Sequence, residues 1–476
     1  MTKRLLIAAF TLLSFSLPSL AAPFNLDSIR AGEVPAAEAP VPAAPPAAAQ
    51  KEWTVMVYAT TKDVLKYFMA DQLIDLVQVG STDKVNVVLE TSFPVEGADG
   101  TVSTPTVRMA LGAPWSQQQL DQTLASGFNE SSKQLKESFL GAFEPYTVKR
   151  EASADTGDWR RAADFTRWAK ANYPAKRYLF LVFGHGNGIF DMKKKHDKGT
   201  LMDTDTQNYV TLPEMRLLME QTGKVDAFVM LSCIMQMAEV TWQVKDYTDV
   251  VVGSGELMWA VSYDLNAMLK SMNANPGASA AEIGRELSEG YLARARAKGY
   301  KGAHSSVILT GKLPGFAGKL DLWADSQLAL RDEKAVTAAR KRVVRYDMFG
   351  ITQSTIPAIA NYFSQSGDLY DFVRLVTENT PQDTPERLLA RQRGLDLMDY
   401  IEKELVYSHS NYGTSHIQYE FARARGLAVY VPPGGHFFGT GTLDDFESNV
   451  ETKYGDLPFA RETRWGAFVN WINKRN

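Results

Sequence analysis

Two residues of the chain have the chemistry and the setting of a nucleophilic catalyst. Cys233, the only cysteine in 476 residues, follows the apolar run FVMLS, and His185 lies in the motif FGHGNG after another apolar run. A thiolate is a strong nucleophile, and an imidazole can accept its proton and later protonate a leaving amine. For each residue alone, the alternative is a structural role, as an inert buried cysteine or a histidine in a turn. Placed in one cleft, the two residues predict nucleophilic catalysis.

The glycine after the histidine fits the same kind of site. Gly186 has no side chain, so its N–H group can come close to a substrate carbonyl. Together with the N–H of Cys233 it would form an oxyanion hole, in which each donor is worth about 10²–10³ in rate. Gly186 and Cys233 are therefore the predicted oxyanion-hole residues.

Motifs for other chemistries are absent from the sequence. The stretch GHGNG is not the GxGxxG pattern of dinucleotide-binding folds, and no GxxxxGK[ST] phosphate loop occurs. The GxSxG elbow of serine hydrolases is also missing, because the stretch GTSHI at 413–417 lacks the final glycine. The other histidines have no close metal-ligand spacing apart from a pair in a loop, so no metal site is predicted. They are His196, His304, His409, His416 and His436.

The predicted elements bring His185 and Cys233 to one edge of a sheet. Strand-like and helix-like patterns alternate between residues 53 and 312, which is typical of an α/β fold with a mostly parallel sheet flanked by helices. Ligands of such sheets bind at the carboxyl ends of the strands, and both residues directly follow a predicted strand. The predicted strands are 53–60, 84–91, 177–184, 227–232, 249–253, 305–310 and 427–431. The clearest predicted helices are 158–173, 213–221, 235–245 and 465–473.

The N-terminal segment is not predicted to join this fold. Lys3 and Arg4 precede the apolar run Leu5–Leu17 and the small-x-small sequence SLA, a pattern typical of a secretory signal peptide over residues 1–21. Residues 22–51, rich in Ala and Pro, are predicted to be an extended tether and are a candidate docking segment for a partner. The protein is therefore expected to be exported, to the periplasm or outside the cell. Domain boundaries are predicted at 52–312 for the α/β domain and at 313–476 for a mainly helical C-terminal subdomain that completes the fold.

Composition narrows the expected partners. The formal net charge is −4, which gives no reason to expect binding to nucleic acid or to an anionic membrane. No stretch after the signal peptide is apolar for long enough to span a bilayer. In an oxidising compartment a free thiol is a hazard, so export favours either deep burial or a chemical role for Cys233.

The sequence resembles the clostripain family of cysteine peptidases, which have a caspase-like fold. In that family one strand ends in His-Gly, and a later one ends in a Cys with Met two and Glu six residues on; His185-Gly186 and Cys233, Met235 and Glu239 fit this pattern. The resemblance implies a secreted endopeptidase for peptides or proteins, with Cys233 as nucleophile and His185 as base and acid. It extends over most of the chain from Trp53, through the segments WTVMVYAT, VNVVLE, GDLYDFVRLV, GLAVYVPP and RWGAFVNWI.

The sequence departs from the family at the positions that recognise the side chain of the substrate. The family usually has Asp two residues before the Cys, and here that position is Leu231. The segment after the next strand also differs, GSGELMWAVSYD, and within it Ser254, Glu256 and Asp264 are candidates for the substrate pocket. The preference at the cleaved bond is therefore open between a basic and a more apolar residue.

Self-cleavage and calcium are two further expectations from the resemblance. Many family members cut themselves between the His and Cys strands, and the matching segment, 191–203, holds Lys193, Lys194, Lys195 and Lys198. A solvated charged loop is the alternative. No cofactor is required by the sequence, and calcium is allowed for by the resemblance alone.

Two other functions would fit the same residues. One is a non-catalytic binding protein that keeps the fold, which the altered pocket and the tether favour and the retained His185 and Cys233 disfavour. The other is acyl transfer by the same pair to an amine in place of water.

Overall fold

The computed structural model describes residues 50–129, 131–191, 199–259, 261–346, 365–414, 420–432 and 450–473. The chain divides into two units, residues 1–46 and 47–476, and the structure below is that of the second. The predicted signal peptide and most of the predicted tether lie outside the described residues. Within the described part of the chain, no helix combines the length and the apolar character needed to cross a membrane.

The described strands form one large sheet and three small two-stranded ones. The strands are β1 (Lys51–Thr60), β2 (Val85–Ser92), β3 (Val95–Glu96), β4 (Val102–Ser103), β5 (Thr106–Ala110), β6 (Phe128–Asn129), β7 (Gln134–Leu135), β8 (Thr147–Glu151), β9 (Ala175–Phe183), β10 (Val225–Leu231), β11 (Thr248–Gly253), β12 (Ala303–Leu309), β13 (Ser366–Asp368), β14 (Val406–Tyr412) and β15 (Ala428–Tyr430). The large sheet has the order β14-β12-β11-β10-β9-β1-β2-β5-β8. Its five central strands, from β11 to β2, are parallel, and its edge strands are antiparallel.

Helices cover both faces of the sheet. They are α1 (Leu65–Val77), α2 (Gln117–Ser126), α3 (Glu137–Gly141), α4 (Trp159–Asn172), α5 (Leu212–Thr222), α6 (Ala238–Val244), α7 (Leu265–Ala274), α8 (Ala280–Lys298), α9 (Leu313–Leu330), α10 (Glu333–Arg342), α11 (Leu369–Asn379), α12 (Pro385–Tyr400), α13 (Pro458–Glu462) and α14 (Trp465–Asn473). The predicted α/β fold is confirmed, with a parallel centre and antiparallel edges.

Burial on both faces explains why the central strands are apolar almost without a break. In β1, alternate side chains belong to two different cores, because successive residues of a strand point to opposite faces. Trp53, Val55 and Val57 pack with residues of α1, α7 and α8. Met56 and Tyr58 pack on the other face, with residues of α4, α5 and α9.

The predicted strands all occur, and two features of the sheet were missed. β5 and β8 extend one edge from a region without a clear pattern, and β14 forms the other edge from the part predicted to be largely helical. The predicted strand at 427–431 is β15, which pairs with β13 outside the large sheet. The helix predicted at 235–245 was wrong at its start, because α6 begins only at Ala238.

A buried ion pair connects the end of β1 to the chain that follows the segment 192–198. The Nζ atom of Lys62 lies 2.9 Å from Asp203 Oδ2, and the two side chains are 1% and 0% exposed. It also lies 3.2 Å from Asp205 Oδ2 and donates to the carbonyl of Ala154 at 2.9 Å. Asp203 in turn accepts the N–H of Thr156 at 2.8 Å. The ammonium group is thus surrounded by oxygen atoms from two separate segments, residues 153–154 and residues 203–205.

We predict that Lys62→Met lowers the free energy of unfolding by about 3–5 kcal/mol, because removing one partner leaves the carboxylate of Asp203 buried without its cation. Urea unfolding followed by circular dichroism measures the change. The control is Lys176→Met, which removes an ion pair to Glu52 at 2.6 Å in which the lysine is 57% exposed, so this substitution should change the free energy of unfolding much less. Equal effects of the two substitutions would contradict the assignment.

Candidate active site

The register of the central strands brings His185 and Cys233 to the same level of one sheet edge. β9 and β10 are parallel neighbours in which Phe183 pairs with Leu231. His185 and Cys233 each lie two residues beyond this pair, so both follow the carboxyl ends of adjacent strands. The prediction that the two residues share an edge of the sheet is confirmed by this pairing.

The turn after β10 is shaped by contacts to other segments and not by a helix. Ile234 has a positive φ of 53°, and its N–H donates to the carbonyl of Glu256 at 3.2 Å. The N–H of Gln236 donates to the carbonyl of Ser254 at 3.0 Å. Cys233 therefore lies in a turn five residues before α6, although the sequence predicted a helix only two residues after it, from 235.

Gly186 packs directly against the backbone of Cys233. A Cβ atom at position 186 would lie 2.1 Å from the carbonyl oxygen of Cys233 and 2.8 Å from its nitrogen. Such approaches are closer than van der Waals contact allows, so only glycine fits here. The two residues predicted for the oxyanion hole are therefore adjacent in space.

Asp63, which the sequence analysis missed, contacts the histidine. Its Oδ2 lies 2.5 Å from Nε2 of His185, and its Oδ1 accepts the N–H of Leu65, the first residue of α1, at 2.9 Å. Burial disfavours the charged form of Asp63, but the hydrogen bond and charge of His185 outweigh it, so the pKa of Asp63 is lowered. Asp63 is thus a carboxylate at neutral pH, and it holds the imidazole by Nε2. No motif singles out this aspartate, which follows β1, a strand far from His185 in sequence.

The loop after β11 approaches the thiol. The backbone N–H of Met258 donates to Sγ of Cys233 at 3.3 Å, and Cys233 itself is partly exposed. An N–H directed at sulfur favours the thiolate over the thiol, since hydrogen bonding stabilises the charged form. Buried His304 supports this loop, because its Nδ1 accepts the N–H of Gly255 at 3.0 Å. Burial lowers the pKa of His304 to about 3, so it stays neutral.

The residues predicted for the substrate pocket do not offer a carboxylate directed at substrate. Leu231 is only 4% exposed and lies in a core, and Ser254 and Glu256 are fully buried. Glu256 Oε1 accepts the N–H of Leu257 at 3.1 Å. Asp264 caps α7 and pairs with Arg294 at 2.8 Å.

The other residues named from the sequence are structural or lie outside the described residues. Glu239 accepts the N–H of Tyr430 and the O–H of Tyr454, both at 2.9 Å, and so connects α6 to two later segments. Burial raises the pKa of Glu239 to about 7. The four lysines proposed for self-cleavage fall within residues 192–198, which the structure does not describe.

Calcium, which the family resemblance allows, would be held by oxygen ligands such as carboxylates and carbonyl groups. Among the described residues, no group of three or more His, Cys, Asp or Glu side chains is arranged to hold a metal ion. In the acidic group of Asp155, Asp203 and Asp205, a cation is already present, because the Lys62 ammonium contacts two of the three carboxylates. No step of the mechanism below uses a metal.

Comparisons with known proteins identify the class of protein to which this chain belongs. Two solved structures share the fold: a secreted C11 cysteine protease from Bacteroides thetaiotaomicron in complex with an irreversible peptide inhibitor, and an inactive zymogen C11 protease from Parabacteroides distasonis. Each has a TM-score of 0.55 and 14% sequence identity, and the match covers 88% of this chain and 99% of the other. At this identity the likeness shows the fold, which is the caspase-like α/β fold. No curated protein sequence matches the chain.

A match to a family model assigns the sequence of the chain to the same class of protein. The model of the clostripain family, the C11 peptidases, matches residues 57–471. The molecule is accordingly a cysteine endopeptidase. The chain belongs to the clostripain family.

We predict that Asp63→Asn lowers kcat by about tenfold or more with a smaller change in KM. The amide keeps the contact to Leu65 but removes the carboxylate that holds Nε2, so the imidazole is oriented less well for proton transfer. The loss should therefore fall on kcat and leave KM nearly unchanged, a split that a merely structural role would not produce. The matched control is Asp158→Asn, which changes another aspartate beside a helix start, the N-cap of α4. An unchanged kcat in Asp63→Asn would contradict the assignment.

Proposed function

We propose that the protein is an exported cysteine endopeptidase that cleaves peptide bonds with a Cys233–His185 dyad oriented by Asp63. The observation that carries the proposal is the common register of the two residues after β9 and β10, together with the 2.5 Å contact between Asp63 and His185. Family membership supplies the reaction class, and these residues supply nucleophile, base and orienting carboxylate.

In the first half-reaction, the imidazole of His185 accepts the proton of the Cys233 thiol. Because Asp63 binds Nε2, the proton is transferred to and from Nδ1. Sγ attacks the carbonyl carbon of the scissile bond, and the negative charge moves to the carbonyl oxygen, near the N–H groups of Gly186 and Cys233. The imidazolium then gives its proton to the leaving nitrogen, the C–N bond breaks, and a thioester remains on the enzyme.

In the second half-reaction, water replaces the departed amine. His185 takes a proton from this water, whose oxygen attacks the thioester carbonyl. The resulting tetrahedral intermediate then breaks at its C–S bond. This releases the peptide with its new carboxyl group, and the proton on His185 returns to sulfur to give the thiol. An amine in the place of water would give acyl transfer by the same steps, so the nature of the acceptor decides between hydrolysis and transfer.

Self-cleavage is proposed within residues 191–203, with the four lysines as the candidate sites. Both ends of this segment are held by hydrogen bonds, and one of them contacts His185. Asp191 accepts the N–H of Leu212 and the O–H of Thr452, and burial raises the pKa of Asp191 to about 6. On the far side, the N–H of Leu201 donates to the carbonyl of His185 at 2.9 Å.

We predict that Cys233→Ala and His185→Ala each lower kcat on peptides by at least about a thousandfold. A peptide library, read by mass spectrometry with wild type and both variants in parallel, measures the loss, and added amines distinguish transfer from hydrolysis. The matched control is His409→Ala, which changes a histidine on the edge strand β14. Peptide binding by a wild type that cleaves nothing would replace this proposal with the non-catalytic binding protein.

We predict that wild type accumulates as two chains cut within residues 191–203, whereas Cys233→Ala remains intact. Intact-mass analysis of both proteins after purification tests this, and wild type added to the Cys233→Ala protein shows whether cutting also occurs between molecules. Replacing Lys193, Lys194, Lys195 and Lys198 with Gln should leave the chain whole. An intact chain in a wild-type preparation that is active on peptides would overturn self-cleavage alone.

A further inference from the structure

Three consecutive apolar residues lie beside the nucleophile. The N–H contact from Met258 to Cys233 Sγ, at 3.3 Å, places the backbone of this residue next to the atom that attacks the substrate. Leu257, Met258 and Trp259 are each partly exposed, although the six residues before them are buried. We call residues 257–259 the apolar rim.

The indole of Trp259 is fixed in position from several sides. Its ring is stacked on that of Tyr300, with centroids 4.9 Å apart and an interplanar angle of 22°. Its Nε1 donates to the carbonyl of Lys301 at 2.7 Å, and its backbone N–H donates to the hydroxyl of Tyr291 at 2.9 Å. An aromatic side chain held in this way can contact a ligand without losing much conformational entropy on binding.

The groups that would favour a basic substrate side chain are directed elsewhere. Position 231 carries a buried leucine, and Glu256 is fully buried, with Oε1 accepting the N–H of Leu257. The hydrogen-bond partner of the indole is a neutral backbone carbonyl, that of Lys301, and not a carboxylate. A charged side chain brought to an apolar wall without a counter-ion loses hydration that nothing replaces.

We propose that the apolar rim selects a large apolar residue, such as Phe or Leu, at the position that supplies the attacked carbonyl. This inference rests on the proposed peptidase function and names its substrate class. The side chain of that residue lies close to the carbonyl carbon, and Met258 is the rim residue that contacts the attacking sulfur. Met258 and Trp259 are the specificity-determining residues, and burial of the substrate side chain against them stabilises the bound state.

The test uses peptides Ala-Ala-Ala-X with a fluorogenic amide after X, where X is Phe, Leu, Ala, Arg or Lys. Wild type should cleave after Phe and Leu with a kcat/KM at least about tenfold higher than after Arg or Lys. In Trp259→Ala, the loss of kcat/KM for X = Phe should exceed the loss for X = Ala by at least about tenfold. In Met258→Glu, the ratio of Arg to Phe cleavage should rise by at least about tenfold, because a carboxylate then faces the substrate side chain.

Control measurements separate the two proposals. Leu322→Ala removes another exposed apolar side chain, on α9, which is 48% exposed. This variant should leave the relative rates for the five X residues unchanged, and thermal unfolding shows whether each variant is folded.

Faster cleavage after Arg or Lys by wild type would overturn the apolar selection but not the proposed peptidase function. If Trp259→Ala lost only this basic preference, the indole face would be binding a cation instead. No cleavage of any peptide, with Cys233 unreactive to iodoacetamide, would overturn the peptidase function itself.

Discussion

The candidate site depends on the parallel pairing of three neighbouring strands, β1, β9 and β10. Parallel strands all end at the same edge of a sheet, so the chain that leaves each of them enters the same space. Asp63 comes from the first strand, His185 from the second and Cys233 from the third. Because β9 lies between the other two, its histidine can contact the carboxylate on one side and lie level with the thiol on the other.

Tight packing of backbone against backbone then determines how the loops at this edge lie. Gly186 is in contact with the main chain of Cys233, and a side chain there would overlap it. The positive φ of Ile234 turns the chain toward residues 254–256, whose carbonyl groups accept its hydrogen bonds. The loop after β11 is thereby drawn to the sulfur. A helix could not occupy the same path, which is why α6 starts late.

Buried polar groups stabilise the loops at the carboxyl ends of these strands. Each of them has a partner or is in its neutral form. Lys62 and Asp203 neutralise one another, and His304 accepts an N–H of the loop in its uncharged state. Glu239, whose pKa is about 7, ties α6 to the segments at 430 and 454. Such groups stabilise one arrangement of loops over others, because an alternative arrangement would leave them unsatisfied.

The amino-acid sequence by itself determined the class of fold and singled out the two candidate reactive residues. Nearly continuous apolar runs, amphipathic helices and the motifs around Cys233 and His185 are local signals, since each depends only on neighbouring residues. Leu231 was likewise visible as a departure from the family's usual residue. Only the tertiary structure revealed Asp63, the apolar rim and the edge strands β5, β8 and β14. These features arise where separate segments of the chain meet, and Asp63 and His185 are 122 residues apart. A carboxylate after a strand or a methionine in a loop has no local pattern that marks it, because its role comes from the neighbour that folding supplies.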